Sequence, residues 1–179
     1  MTDRLYFYKK SADKPPGKGI HDVVLNPANT TKYAELATVP DWRKMLDDFY
    51  VAPFVDSEGL QWNTVAHNFY AHRLTYCDPD YAWKFTLDSG DPIGKLNYKV
   101  FEHRNDCRLN KKQEAEWDLY KDEIQRRALL NKFIQHSELK DILLMTGDAE
   151  LWRVGERGGA PERRHVLEEI RNTLRNPEK

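Results

Sequence analysis

The longest periodic run in this 179-residue chain opens at Asn110 and ends near Phe133, and it constrains the architecture more than any other segment. Asn110 and Gln113 stand at capping-box spacing, where each side chain can satisfy a backbone amide of the other. Behind that start Trp117, Ile124 and Ala128 fall near one helical face, with Tyr120 interleaved. Shorter helices flank it. Asn63 or Thr64 caps a helix in which Val65 and Phe69 share a face, with Tyr70 and Leu74 four apart beside them. Asp78-Pro79 and Asp91-Pro92 each place a cap before a proline at the first helical position. Ser137 caps a helix with Leu139, Ile142 and Leu143 inward, and Gly147 is its C′ residue. Pro161 is expected to open the last helix, where Val166, Ile170 and Leu174 recur every four residues.

Strand signals are few. Leu5-Tyr6-Phe7-Tyr8-Lys9 is an aromatic-rich strand candidate. Tyr50 to Val55 is an edge strand, because Pro53 cannot donate to a ladder, and Ser57-Glu58-Gly59 then turns the chain. Between these lies an excursion over residues 9–45, marked by Asn26-Pro27 and Val39-Pro40 and by Lys14-Pro15-Pro16-Gly17-Lys18-Gly19. That last stretch lacks the Lys-Ser/Thr pair of a phosphate loop and reads as a flexible loop. The predicted fold is a single domain over residues 1–179, mainly α, an α+β mixture with a few short strands.

Charge narrows the function classes. The chain carries 28 Lys+Arg against 29 Asp+Glu, a net charge of -1, with 40% hydrophobic and 12% aromatic residues. A general basic surface for gripping a phosphate backbone is excluded, and only a local basic patch remains. No apolar run approaches the ~20 residues of a membrane span, and the N-terminus has no apolar signal region. Cys77 and Cys107 lack a CxxC partner spacing and are expected to be free thiols in a reducing compartment, cytoplasmic or nuclear. The six histidines form no HExxH and no helical i,i+4 pair, so no metal is expected.

Three constellations carry chemistry. In Asp88-Ser89-Gly90-Asp91-Pro92-Ile93-Gly94-Lys95, two glycines, a following helix start and Lys95 are the parts of an anion cradle, though capped loops of this kind are equally common without an anion. Trp62, Trp117 and Trp152 sit beside polar residues, where one ring could stack on a planar ligand; for Trp117 the periodic position favours the core. Arg153, Arg157, Arg163, Arg164, Arg171 and Arg175 could clamp a diphosphate. Interleaved glutamates make a solvated, ion-paired face the plain alternative, above all for Arg171 and Arg175.

Gly59-Leu60-Gln61-Trp62-Asn63-Thr64-Val65-Ala66-His67-Asn68-Phe69-Tyr70-Ala71 resembles the Gly-x-x-Trp/Tyr-x-Thr-x-Glu-His-x-aromatic-Gln-Ala signature of the NADAR (YbiA-like) family. Trp117 to Ile124, Ala128 to Phe133 and Leu143-Leu144-Met145-Thr146-Gly147-Asp148-Ala149-Glu150-Leu151 resemble later blocks of that family, in the same order. Phe7-Tyr8 and Asp47-Asp48-Phe49 to Pro53-Phe54 match its opening Phe-Tyr and Leu-Ser-Asn-Phe motifs more loosely. The resemblance implies an orthogonal, mainly α-helical fold that recognises ADP-ribose, NAD-like molecules or ribosylated bases. It also implies N-glycosidase chemistry on ADP-ribosylated guanine of DNA or RNA or, alternatively, on phosphoribosylamino-pyrimidine intermediates of riboflavin synthesis. No cofactor is implied, ADP-ribose being ligand or product, and a monomer is expected.

Two departures stand out. Where the family carries its catalytic Glu, before His67, this chain has Ala66. Breaking an N-glycosidic bond needs protonation of the leaving base, or an oxocarbenium-like centre met by an activated water, and a methyl group does neither. Three readings follow: an inactive Glu→Ala variant, favoured by the intact flanking motif; a natural module that only binds; or catalysis taken over by another acid. The second departure is a shorter segment after the Thr-Gly-Asp block, in which Trp152 and Asp148 stand in for the family's tryptophan and aspartate. The resemblance thus implies position 66, Trp117 and Asp148 as catalytic, and Phe7, Tyr8, Phe49, Trp62, His67, Ser89, Gly90, Asp91, Gly94, Trp152 and Arg153 as ligand-binding. The expected pocket lies between the Ala66 helix, the Ser89–Gly94 loop and the Trp117 helix.

Overall fold

The computed structural model describes residues 2–26 and 31–176, with the side chain of Arg157 excepted. Pro27 of the Asn26-Pro27 signal therefore lies outside the described residues. The chain divides into two compact units, one built from Met1–Asp47 with Ser137–Lys179, the other from Asp48–His136.

In the first unit β1 (Arg4–Phe7) pairs in parallel with β4 (Glu150–Arg153), which pairs antiparallel with β5 (Glu162–Arg163). The register sets Tyr6 opposite Trp152 and Phe7 opposite Arg153. Leu5, Phe7 and Leu151 point inward and are buried, together with Leu139, Ile142 and Leu143 of α5 (Ser137–Met145) and Leu167 and Ile170 of α6 (His165–Arg175). Gly147 ends α5 at φ +61°, as its C′ position requires. Two local expectations fail. Ser137 is the first helical residue of α5 rather than its cap. Pro161 does not open α6, because Glu162 and Arg163 are drawn into the sheet and α6 starts at His165.

The excursion over residues 9–45 is folded around one side chain. Arg43, on the short α1 (Trp42–Met45), is buried and spends every guanidinium donor. Its Nε donates to the Lys14 carbonyl, Nη1 to the Tyr6 carbonyl and Asp22 Oδ1, and Nη2 to the Pro15 carbonyl and Asp22 Oδ2. Asp22 also accepts from the amides of Tyr6, Gly17 and Gly19. The Lys14–Gly19 stretch is thus a pinned turn and not a flexible loop, because its carbonyls and amides are fixed by a buried ion pair.

In the second unit β2 (Phe54–Val55) and β3 (Gln61–Trp62) form a hairpin with Phe54 opposite Trp62. The edge strand read over residues 50–55 shortens to the two residues after Pro53. Asp56 organises the turn by accepting from the amides of Glu58 and Leu60, and Gly59 passes at φ +83°. Then follow α2 (Val65–Leu74), α3 (Pro79–Trp83) and α4 (Lys111–Gln135), with 3-10 turns at Pro92–Lys95 and Tyr98–His103. The caps fall where the sequence placed them: Thr64 on α2, Asp78 on α3, and Asn110 with Gln113 on α4. The pairing of α2 with α4 buries Val65, Ala71 and Leu74 against Trp117, Ala128 and Leu129. Cys77 and Cys107 are bonded to each other with Cα atoms 6.5 Å apart, which corrects the expectation of free thiols. Their 30-residue separation leaves no local signature, since α2 and the Tyr98–His103 turn bring them together.

The architecture is mainly α with a few short strands, as the periodicity indicates. Among the described residues no helix is long and apolar enough to cross a membrane.

Candidate functional site

Helix α2 enters the second unit at Thr64, whose hydroxyl accepts from the amide of His67 at 3.2 Å. The Ala66 amide donates to the Asp48 carbonyl at 3.0 Å, which ties the start of α2 to the segment ahead of β2. Three and four residues on, Phe69 and Tyr70 share the stripe of position 66. Phe49, beside Asp48, lies 6.4 Å from the Tyr70 ring and 6.1 Å from Phe101, edge-on to the latter. Tyr70 and Phe101 are half-buried. The Asp48 carboxylate, also half-buried, accepts from Gln125 Nε2 at 2.8 Å. Position 66, a methyl, is therefore joined through its amide to the segment that carries Asp48 and Phe49, and Phe49 packs with Tyr70 and Phe101.

His67 serves the fold. It is fully buried, its Nε2–H donating to the Ile93 carbonyl at 3.0 Å while Nδ1 accepts from the Thr64 hydroxyl at 2.7 Å. Both nitrogens are committed, so the ring has no atom to offer a ligand. Burial pushes its pKa from 6.5 down to about 4, against the opposing pull of the Ile93 carbonyl. The unfolded chain binds this proton more readily than the folded one. Stability is accordingly held in full above pH 6.5 and lost as pH falls from 6.5 toward 4. Urea titrations across that window should show a loss of roughly 3 kcal/mol that a His67→Gln variant lacks.

The Ser89–Gly94 loop is also self-contained. The Ser89 amide donates to Thr86 Oγ1, Gly90 to the Leu87 carbonyl, Asp91 to Ser89 Oγ, Ile93 to Asp91 Oδ1, and Gly94 to the Asp91 carbonyl. Pro92 has no amide hydrogen. The glycine at 94 answers to packing, since a Cβ there would stand 2.3 Å from the Thr86 carbonyl oxygen. The features that suggested an anion cradle thus form a closed turn whose amides are already donated.

Trp117 is only 4% exposed; Phe69 meets its ring edge-on at 4.9 Å, and Tyr76 lies 6.4 Å away. It is a core residue of the α2–α4 contact with no free face for a sugar or base. Trp62 is buried too, its indole N–H donating to Asp56 Oδ2 at 2.7 Å, and its edge lines a cleft of about 330 Å³ with Trp83 and His72. A second cleft of about 360 Å³ is lined by Asp56, Glu58, Asn68, His72, Arg127 and Asn131, none of which the sequence singled out.

In the first unit, Phe7, Tyr8, Trp152 and Arg153 come together along the β1–β4 pair. Phe7 is buried; Tyr8 is half-buried, with its amide on Ser11 Oγ. Trp152 stacks on Tyr6 at 6.0 Å and donates to Glu150. Arg153 pairs with the fully buried Asp47 at 2.9 Å and with Glu156 at 2.9 Å, and Glu156 also pairs with Lys9. Asp148 is apart from that group: it is exposed and paired with Arg175, whose hydrogen bond holds the carboxyl below its usual range. Two further terminal arginines are held by partners within the first unit. Arg163 pairs with Glu150 and Glu168, and Arg171, expected on a solvated face, is buried with Nη1 on Thr146.

The NADAR domain family matches residues 26–157 of this chain. N-glycosidase YbiA of Shigella flexneri is 26% identical over 152 residues, spanning 76% of this chain and 89% of that protein. The Escherichia coli YbiA is 28% identical over 127 residues, 65% of this chain and 73% of that one. An N-glycosidase of Nostoc punctiforme is 34% identical over 71 residues, covering 34% of this chain and 46% of its own. The solution structure of E. coli YbiA superposes with a TM-score of 0.54 at 23% identity, over 99% of this chain and 86% of that one, which establishes a shared fold. With a family match across most of its length, the chain belongs to the NADAR domain family.

Proposed function

We propose that this chain is an N-glycosidase that releases ADP-ribose from guanine in DNA or RNA, acting as a monomer without a cofactor. The observation that carries the reading is the aromatic group Phe49, Tyr70 and Phe101 gathered beside position 66 at the start of α2. The half-buried Tyr70 and Phe101 rings, backed by the buried Phe49, offer faces and edges to a purine or a ribose while excluding water from the bond to be broken. The N-glycosidase relatives support the bond type, and the resemblance of the signature over residues 59–71 to the NADAR family, which implies ADP-ribosylated guanine as a substrate, supports the substrate class.

The test is direct. Incubated with an oligonucleotide carrying ADP-ribosylated guanine, the protein or its Ala66→Glu variant should liberate ADP-ribose, read by chromatography. If neither turns over that oligonucleotide while either consumes a phosphoribosylamino-pyrimidine, the substrate is the free intermediate. Ala66 itself favours one further reading, a module that binds ADP-ribose without cleaving it. Tight binding by calorimetry, with both proteins folded and inert on both substrates, would select that reading.

A further inference from the structure

The family motif places a neutral Asn in Leu-Ser-Asn-Phe and a carboxylate before the His of the α2 signature. This chain has the reverse: Asp48 stands at the Asn position of Leu46-Asp47-Asp48-Phe49, and Ala66 at the Glu position. In the sequence the two are far apart; in the structure they are neighbours, the Ala66 amide donating to the Asp48 carbonyl at 3.0 Å. We propose that Asp48 supplies the carboxylate that position 66 lacks, so that the charge has been exchanged between two adjacent segments and not lost.

The surroundings suit that role. Asp48 is half-buried, accessible to a water, and immediately precedes Phe49, whose ring packs with those of Tyr70 and Phe101. One carboxylate oxygen is oriented by Gln125 Nε2 at 2.8 Å. Gln125 lies two turns beyond Trp117 on α4, and Trp117 meets Phe69 one turn above position 66, so the amide reaches the same end of α2. That amide donates a hydrogen bond without itself neutralising the carboxylate. In the hydrolysis the C1′–N bond breaks and its electron pair departs with the base nitrogen. A water oxygen bonds to C1′, Asp48 accepts that water's proton, and the proton passes on to the departing nitrogen. Water is the sole co-reactant, and Asp48 ends as it began.

This inference rests on the N-glycosidase reading, and four proteins separate the two: the native chain, Asp48→Asn, Ala66→Glu and the double exchange. The native chain should release ADP-ribose. Asp48→Asn, which restores the motif's Asn and can still accept from Gln125, should lose about 100-fold or more of turnover with melting temperature and ADP-ribose affinity unchanged. The double variant should recover to within about tenfold of native. An Asp48→Asn protein as active as native, or a double variant that stays inert, overturns the exchange. A native chain that is inert while Ala66→Glu turns over overturns it too, yet leaves the proposed function standing. Inactivity of all four defeats both.

Discussion

Replacing Arg43 by alanine should destabilise the protein by about 3–5 kcal/mol, because it leaves Asp22 buried and ionised without its cation. The effect is larger than for the surface pairs of this chain, such as Arg127 with Glu123, where water screens the interaction. The side chains of Arg43 and Asp22 are only 3% and 0% exposed, and the guanidinium also satisfies three carbonyls, those of Tyr6, Lys14 and Pro15. Lysine is no substitute: its point charge can meet Asp22 but cannot fan out to carbonyls on two separate segments. Thermal unfolding should show the Arg43→Ala midpoint lower by roughly 6–20 °C, with Arg43→Lys in between. Pairing Arg43→Ala with Asp22→Asn should cost less than the sum of the single changes, since the stranded charge is gone. Additive losses would mean that the two side chains do not act as a unit.

The second large effect is expected at Trp117. Truncation to alanine empties a site packed by Phe69 and Tyr76 and should cost about 3–5 kcal/mol, measured as a fall in the urea midpoint at unchanged slope. Trp117→Phe retains an edge-on partner for Phe69 and should cost less. The same variant distinguishes core from ligand platform. A ring with 4% exposure gives a ligand nothing to stack on, so ADP-ribose affinity should remain within about threefold in Trp117→Phe. A tenfold loss of affinity with stability preserved would return Trp117 to the binding surface.

What the sequence made legible was local. Thr64, Asp78, Asn110 with Gln113, and Gly147 each act on amides or carbonyls within a few residues, so spacing alone located them. The misreadings share the opposite cause. Arg43 reaches carbonyls and a carboxylate from 21 to 37 positions away, which turned an apparent flexible loop into a fixed one. Glu162 and Arg163 are claimed by β4, which overrode the proline signal at 161. The Ser89–Gly94 loop has the composition of an anion cradle, and only its hydrogen-bond directions reveal that the donors are occupied. At the candidate site the departure at position 66 was plain from the motif. Its counterpart at Asp48 carried a signal too, an acid where the motif has Asn, but its meaning depends on the 3.0 Å contact that joins the two segments.

The parallel pairing of β1 with β4 has a consequence for the order in which the protein is made. The second unit is one uninterrupted stretch, Asp48–His136, and all of it has been synthesised before α5 begins. The first unit is split, and β1 is made before the second unit while the strand it pairs with is made after it. Until then Leu5 and Phe7 have no sheet to join, and their apolar faces must wait while the second unit and α5 are made. Closing so long a loop adds little to the equilibrium cost, since that cost grows only with the logarithm of length. Its weight falls on timing: a chain released before Glu150 carries its first strand unpaired, open to other chains.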